Sequence, residues 1–154
     1  SFRAQIHHLI LVLLFLIGTS GISQNMQTAD QSVAMDLNKD EMQWGGCPDF
    51  MPSSCNISVL HGDPAAENSD ILFKIPANTE IPEHWHNSAE RMMMVSGSMS
   101  VTYEGEATKI LKPGTYAYGP ARKAHKAKCL DSGPCVLFIA FEGSVDAFPG
   151  KKGK

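Results

Sequence analysis

From Trp44 onward, short apolar runs alternate with turn residues: "NISVLHGDP", "DILFKIP", "ERMMMVSGSMSVTYEGE", "ATKILKPGTYAYGP" and "PCVLFIAFEG". Each run is a few residues long, and Gly, Pro, Asn or Asp closes it. No segment in this region keeps a helical period. Short strands at close, regular spacing predict an all-β sandwich or barrel. Two hairpins are expected, one turning at Ser96-Gly97 and one at Glu104-Gly105, with glycine supplying the backbone freedom of a tight turn. "KPGTYAYGP" predicts a further turn followed by a short strand.

The first residues follow another pattern. Arg3 precedes an apolar run from Leu9 to Ile17, and small or polar residues follow it up to Ser23. A basic start, a short apolar centre and a small-residue exit predict a secretory signal peptide over residues 1–23. The run is short for a bilayer span. Residues 24–43 are polar and are expected to form a flexible linker. The folded domain is placed at 44–148, with a disordered tail over 149–154. The mature chain is then secreted or periplasmic, with no membrane segment after cleavage.

The cysteines agree with that compartment. There are four, at Cys47, Cys55, Cys129 and Cys135, and "CPDFMPSSC" and "CLDSGPC" each close a short loop. Three connectivities exist in principle; the favoured one joins Cys47 to Cys55 and Cys129 to Cys135. Neither pair has the spacing of a zinc knuckle. The net charge of −3 is spread along the chain, without a basic stripe, so nucleic acid is not an expected partner.

The chemistry concentrates in "HWHNSAE", residues 84–90. On a strand, His84 and His86 point to one face and Trp85 to the other. Glu90 starts the next strand after "NSA", and a chain reversal there would return its carboxylate towards the imidazoles. Two histidines and a carboxylate suit a divalent transition ion. His125, in "PARKAHKAKC", is the candidate fourth ligand. An isolated His-x-His or a lone loop histidine is commonly just solvent-exposed; the combination carries the weight.

These residues resemble the cupin superfamily. Its first motif runs glycine, five residues, His-x-His, three or four residues, Glu, six residues, glycine; here Asn78, His84, His86, Glu90 and Gly97 fall at those places. Its second motif matches at Gly114, Pro120 and His125, with Arg122 where glycine is usual and Cys129 where asparagine is usual. The likeness covers about residues 68 to 142. It implies a cupin jelly-roll β-barrel (a double-stranded β-helix) and a metal held by His84, His86, Glu90 and His125. The chain is also similar to small secreted single-domain cupins and to ChrR-type cupin domains, which bind zinc.

The implied cofactor is one divalent ion: manganese or iron first, then zinc, with nickel and copper compatible. Three function classes follow. The first is a dioxygenase-like metal-dependent oxidoreductase acting on a small organic molecule in the barrel. The second is a lyase or isomerase using the ion as a Lewis acid. The third is a non-catalytic binding or sensing cupin. Met92 and Met94 share parity with Glu90, so Met94 is a candidate pocket wall, although core filling is the commoner role. Tyr116 and Tyr118 share a strand face, and Tyr118 is a candidate substrate contact. Arg122 and Lys123 lie near His125, and His61 is read as structural. A homodimer through edge strands is the expected assembly.

Overall fold

The computed structural model describes residues 30–153; the expected signal peptide and the start of the linker lie outside them. Residues 36–154 form one compact unit. Of residues 1–35, only 30–35, an exposed coil, are described. The compact unit carries eleven strands: β1 (Gly45–Gly46), β2 (Asn56–His61), β3 (Ser69–Ile75), β4 (Glu80–Trp85), β5 (Glu90–Ser96), β6 (Met99–Tyr103), β7 (Lys109–Leu111), β8 (Tyr116–Gly119), β9 (His125–Cys129), β10 (Cys135–Phe141) and β11 (Phe148–Pro149). One sheet has the order β1-β2-β3-β10-β5-β8 and the other β11-β4-β9-β6-β7. Every pairing is antiparallel. From β7 to β11 each successive strand joins the opposite sheet, which makes the sandwich a jelly roll, as expected.

Alternation explains the packing. In β10, Cys135, Leu137, Ile139 and Phe141 are buried and the residues between them are half-buried; in β5, Glu90, Met92 and Met94 are buried, while Arg91, Met93 and Val95 face out. The inward residues of both sheets form one core that includes Ile71, Ile75, Ile81, Met99 and Val101. Both expected disulfides are present, Cys47–Cys55 and Cys129–Cys135.

Two expectations need correction. The Ser96-Gly97 turn does not make a hairpin, because β5 and β6 belong to different sheets. A hairpin and an arch between two facing sheets present the same alternation, so local pattern does not separate them. Gly97 serves the arch: its φ is +73°, and a Cβ would fall 2.6 Å from the Pro134 carbonyl oxygen. The Glu104-Gly105 turn does join a true hairpin, β6 with β7. The reversal between His86 and Glu90 does return the carboxylate to the histidines, and as a crossing between sheets it brings it from the opposite wall. Secondly, the tail boundary moves. Pro149 pairs with His84 as part of β11, and the Gly150 N–H donates to the Glu83 carbonyl at 2.8 Å. Backbone pairing at the exposed side of β4 orders these residues, and the lysines beyond carried no sign of it.

The two departures from glycine in the cupin motifs have a common basis. Asn78 and Arg122 stand at φ of 59° and 63°, the left-handed region that glycine enters without cost. The fold keeps the turn at both places and accepts a side chain there.

Candidate metal centre

A bulge builds the site. Between β4 and β9 the register shifts, so that Ile81 pairs with Ala127 and His84 with His125. The extra residue lies at Pro82-Glu83. It lets Ile81 and His84, three positions apart, both point inward, which a regular strand forbids. His86 follows on the same side as His84 and is buried.

The centre reads as two facing rows. Across one sheet, His84 of β4, His125 of β9 and Tyr103 of β6 are direct cross-strand neighbours. Across the other, Phe141 of β10, Glu90 of β5 and Gly119 of β8 stand in line. His84, His86 and His125 each offer a ring nitrogen, all within 4.8 Å of one another. Glu90 faces them, with Oε1 3.4 Å from His86 Nε2 and Oε2 3.9 Å from His125 Nε2.

Each imidazole is oriented through its other nitrogen. Nδ1 lies 2.8 Å from the Pro82 carbonyl oxygen in His84, 2.5 Å from that of Asp146 in His86 and 3.0 Å from that of Lys123 in His125. A carbonyl only accepts, so each Nδ1 carries a proton, and in a neutral ring that leaves the lone pair on Nε2. The Asp146 carbonyl is itself held: its carboxylate accepts from the Asn87 N–H and side-chain amide, both at 2.9 Å.

Burial pushes His84 down to about 4 and His125 to about 3, partly offset by the carbonyl contacts and reinforced by the neighbouring imidazoles. Both rings are therefore neutral near pH 7. Burial also raises Glu90 above the usual carboxylate range, partly opposed by His86. The buried His86 Nε2 has no hydrogen-bond partner. An orphaned buried acceptor beside two more lone pairs and a carboxylate is the donor set a divalent transition ion takes. The residues present fit the group, and a bound ion would satisfy what is otherwise a costly cluster.

The centre lies on the wall of a cavity of about 130 Å³ between the sheets. Phe73, Met92, Val101, Leu137 and Ile139 are among its apolar walls, and Cys47, Pro48 and Met51 of the first disulfide loop also line it. Among the described residues, no lysine or arginine does.

Two expected pocket residues fall elsewhere. Tyr118 is half exposed on the outer face of β8, because its strand parity is opposite to that of Gly119. Met94 does face inward but packs further along β5, away from the cavity; Met92 lines it instead. Trp85 points away from the centre and stacks on Phe148, with ring centroids 4.6 Å apart. Lys123 is paired with Glu106 rather than turned to the cavity. Sequence reasoning passed over Tyr103 and Asp146, which line the cavity. Inward parity from Met99 and Val101 pointed to Tyr103; its place beside His125 depends on a strand pairing that parity does not reveal.

The cupin domain family matches residues 71–141. The fold is similar to the DMSP lyase DddQ from Ruegeria pomeroyi DSS-3, at 17% identity and a TM-score of 0.63, over 73% of this chain and 64% of that one. The chain thus spans under two thirds of that lyase. KdgF from Halomonas sp. aligns at 20% identity and a TM-score of 0.58, over 70% of this chain and 94% of that one. The polyketide cyclase RemF from Streptomyces resistomycificus aligns at 14% identity and a TM-score of 0.64, over 80% and 89% of the two chains. At these identities the likeness is one of fold. No curated protein sequence matches this chain.

Proposed function

We propose, from the premise that this chain belongs to the cupin superfamily, that it is an extracytoplasmic metal-dependent enzyme with dioxygenase-like oxidoreductase chemistry on a small organic molecule held in the barrel. One observation carries the reading: three imidazole nitrogens and a carboxylate converge on the wall of an otherwise apolar cavity. His84, His86, Glu90 and His125 would hold one divalent ion, with manganese or iron preferred, then zinc. A bound ion supplies polarisation of a substrate oxygen and, where redox-active, a path for electrons to dioxygen.

The chain's own residues do the rest. The carbonyls of Pro82, Lys123 and Asp146 hold the rings in the binding tautomer. The apolar walls exclude water and suit an apolar body and dioxygen alike. Apart from Glu90, the cavity's one carboxylate is that of Asp146, already engaged by Asn87. Proton-transfer groups are few, which favours oxidative chemistry over acid–base chemistry. The two disulfides support an oxidising compartment. Among the described residues, no helix is long and apolar enough to cross a membrane.

A second reading, Lewis-acid lyase or isomerase chemistry, is favoured by the lyase and cyclase among the proteins of similar fold. Elemental analysis of protein purified without chelators, followed by oxygen uptake in a substrate screen, separates the two. Iron or manganese with oxygen-dependent turnover is the expected result. Turnover under nitrogen would favour the second reading, and metal with ligand binding but no turnover a sensing role. Edge-strand homodimerisation belongs to the same proposal, and a monomer mass in solution would remove it.

A further inference from the structure

Tyr103 is buried to 7% exposure, lines the cavity and stacks on His125 with ring centroids 4.6 Å apart. Its hydroxyl has no hydrogen-bond partner. Opposite it stands Gly119, whose φ is unremarkable; the missing side chain is what matters there. A Cβ at Gly119 would fall against Tyr103 Oη and 3.1 Å from Glu90 Oε2. The glycine therefore leaves open a space that the Tyr103 hydroxyl and the Glu90 carboxylate both border. A buried hydroxyl without a partner is destabilising, so its donor is available to something that enters the cavity.

The lining restricts what that can be. Besides the metal-binding residues, the polar side chains on it among the described residues are Tyr103 and Asp146, and none of the described lining side chains is a lysine or arginine. A divalent ion with an ionised Glu90 leaves one net positive charge at the centre. A single anionic oxygen group balances it. A second charge, or a chain of hydroxyls, would be buried against Ile, Leu, Met and Phe without partners.

We infer that the ligand is a small molecule with one oxygen-anion end and an uncharged apolar body, and that the Tyr103 hydroxyl donates a hydrogen bond to that end beside the metal. This rests on the metal-centre reading above. It sets a substrate class, apolar monocarboxylates and similar monoanions, and excludes sugars and dianions. It makes Tyr103 a ligand-contacting residue rather than a core filler.

The test uses the full mature chain loaded with zinc, which is redox-silent. Calorimetry measures binding of butyrate and benzoate, with succinate as the probe whose body carries a second charge. Zinc content and melting temperature are measured alongside, for the parent and for Tyr103→Phe. We expect butyrate or benzoate to bind, succinate to bind at least about ten-fold more weakly, and Tyr103→Phe to weaken the monoanion about ten-fold at unchanged zinc content. Succinate binding as tightly as butyrate would overturn the substrate class. Unchanged monoanion affinity in Tyr103→Phe, or a loss of zinc in its place, would overturn the assigned contact. Zinc bound with neither monoanion binding sinks this inference and leaves the metal centre standing. No zinc in the parent removes both.

Discussion

Strand β9 begins at His125 and ends at Cys129, and its two ends do opposite things. At the first, three imidazoles and a carboxylate are buried together. At the second, Cys129 bonds to Cys135 at the start of β10, both wholly buried, so that a covalent link joins the two sheets. The polar end costs stability until something binds it, because desolvated groups lack partners. The disulfide end stabilises whether or not anything is bound. The contrast shows how a sandwich of this size tolerates a costly site: the sheets are pinned at the far end of the same strand.

The comparison breaks most sharply at the ligands. His125→Ala or His84→Ala should lower metal affinity at least about a hundred-fold, beyond the 10–100-fold typical of outer-shell changes, while circular dichroism stays that of the parent. Parental metal content in either variant would refute the ligand set. Next in size, replacing Cys129 and Cys135 together by Ala should cost about 2–3 kcal/mol by the chain-entropy model, read as a lower denaturant midpoint. Metal binding under native conditions should survive. Loss of both at once would show that the two ends are not independent.

Acid sharpens the same contrast. The folded values of His84 and His125, about 4 and about 3, lie below the ordinary 6.5. Between those limits the unfolded chain binds more protons, so the fold loses stability progressively as pH falls from about 6.5 through 4 towards 3. Glu90 has the opposite sign: its raised value favours the fold below the ordinary carboxylate range and opposes it once the pH passes the folded value. Metal-free protein should therefore melt at lower temperature at pH 4.5 than at pH 6.5, and saturating metal should raise the melting temperature at pH 7. Because Glu90 opposes the histidines, the deciding case is a metal-free Glu90→Gln variant: a flat acid limb there would contradict the buried neutral histidines.

Smaller effects follow. Asp146→Ala removes the contacts with Asn87 that hold the carbonyl behind His86. It should weaken metal binding about ten-fold, measured by competition with a chelating dye. Tyr118→Ala, on the outer face, should change stability by no more than about 0.5 kcal/mol and leave metal affinity alone.

Much of this was legible in the chain. Alternation named the all-β class, because burying one face of a strand imposes a period of two whatever the partner. The spacing of His84, His86, Glu90 and His125 pointed to the centre, and the short cysteine loops to the two disulfides. The same alternation was silent on which sheet each strand joins. It therefore misread the arch at Gly97 and the ordered edge at Pro149, and did not reveal that the reversal before Glu90 crosses between sheets. It also ranked Tyr118 and Met94 over Tyr103, since a place beside His125 is a matter of cross-strand register. Sequence by itself determined the kinds of residue that face inward and the donors available to a metal, because periodicity and side-chain chemistry are local. Only the tertiary structure decided that a bulge at Pro82-Glu83 aims His84 inward, that Glu90 answers from the opposite sheet and that Gly119 leaves room for the Tyr103 hydroxyl. Each of those depends on pairings between residues distant in the chain, which no local pattern encodes.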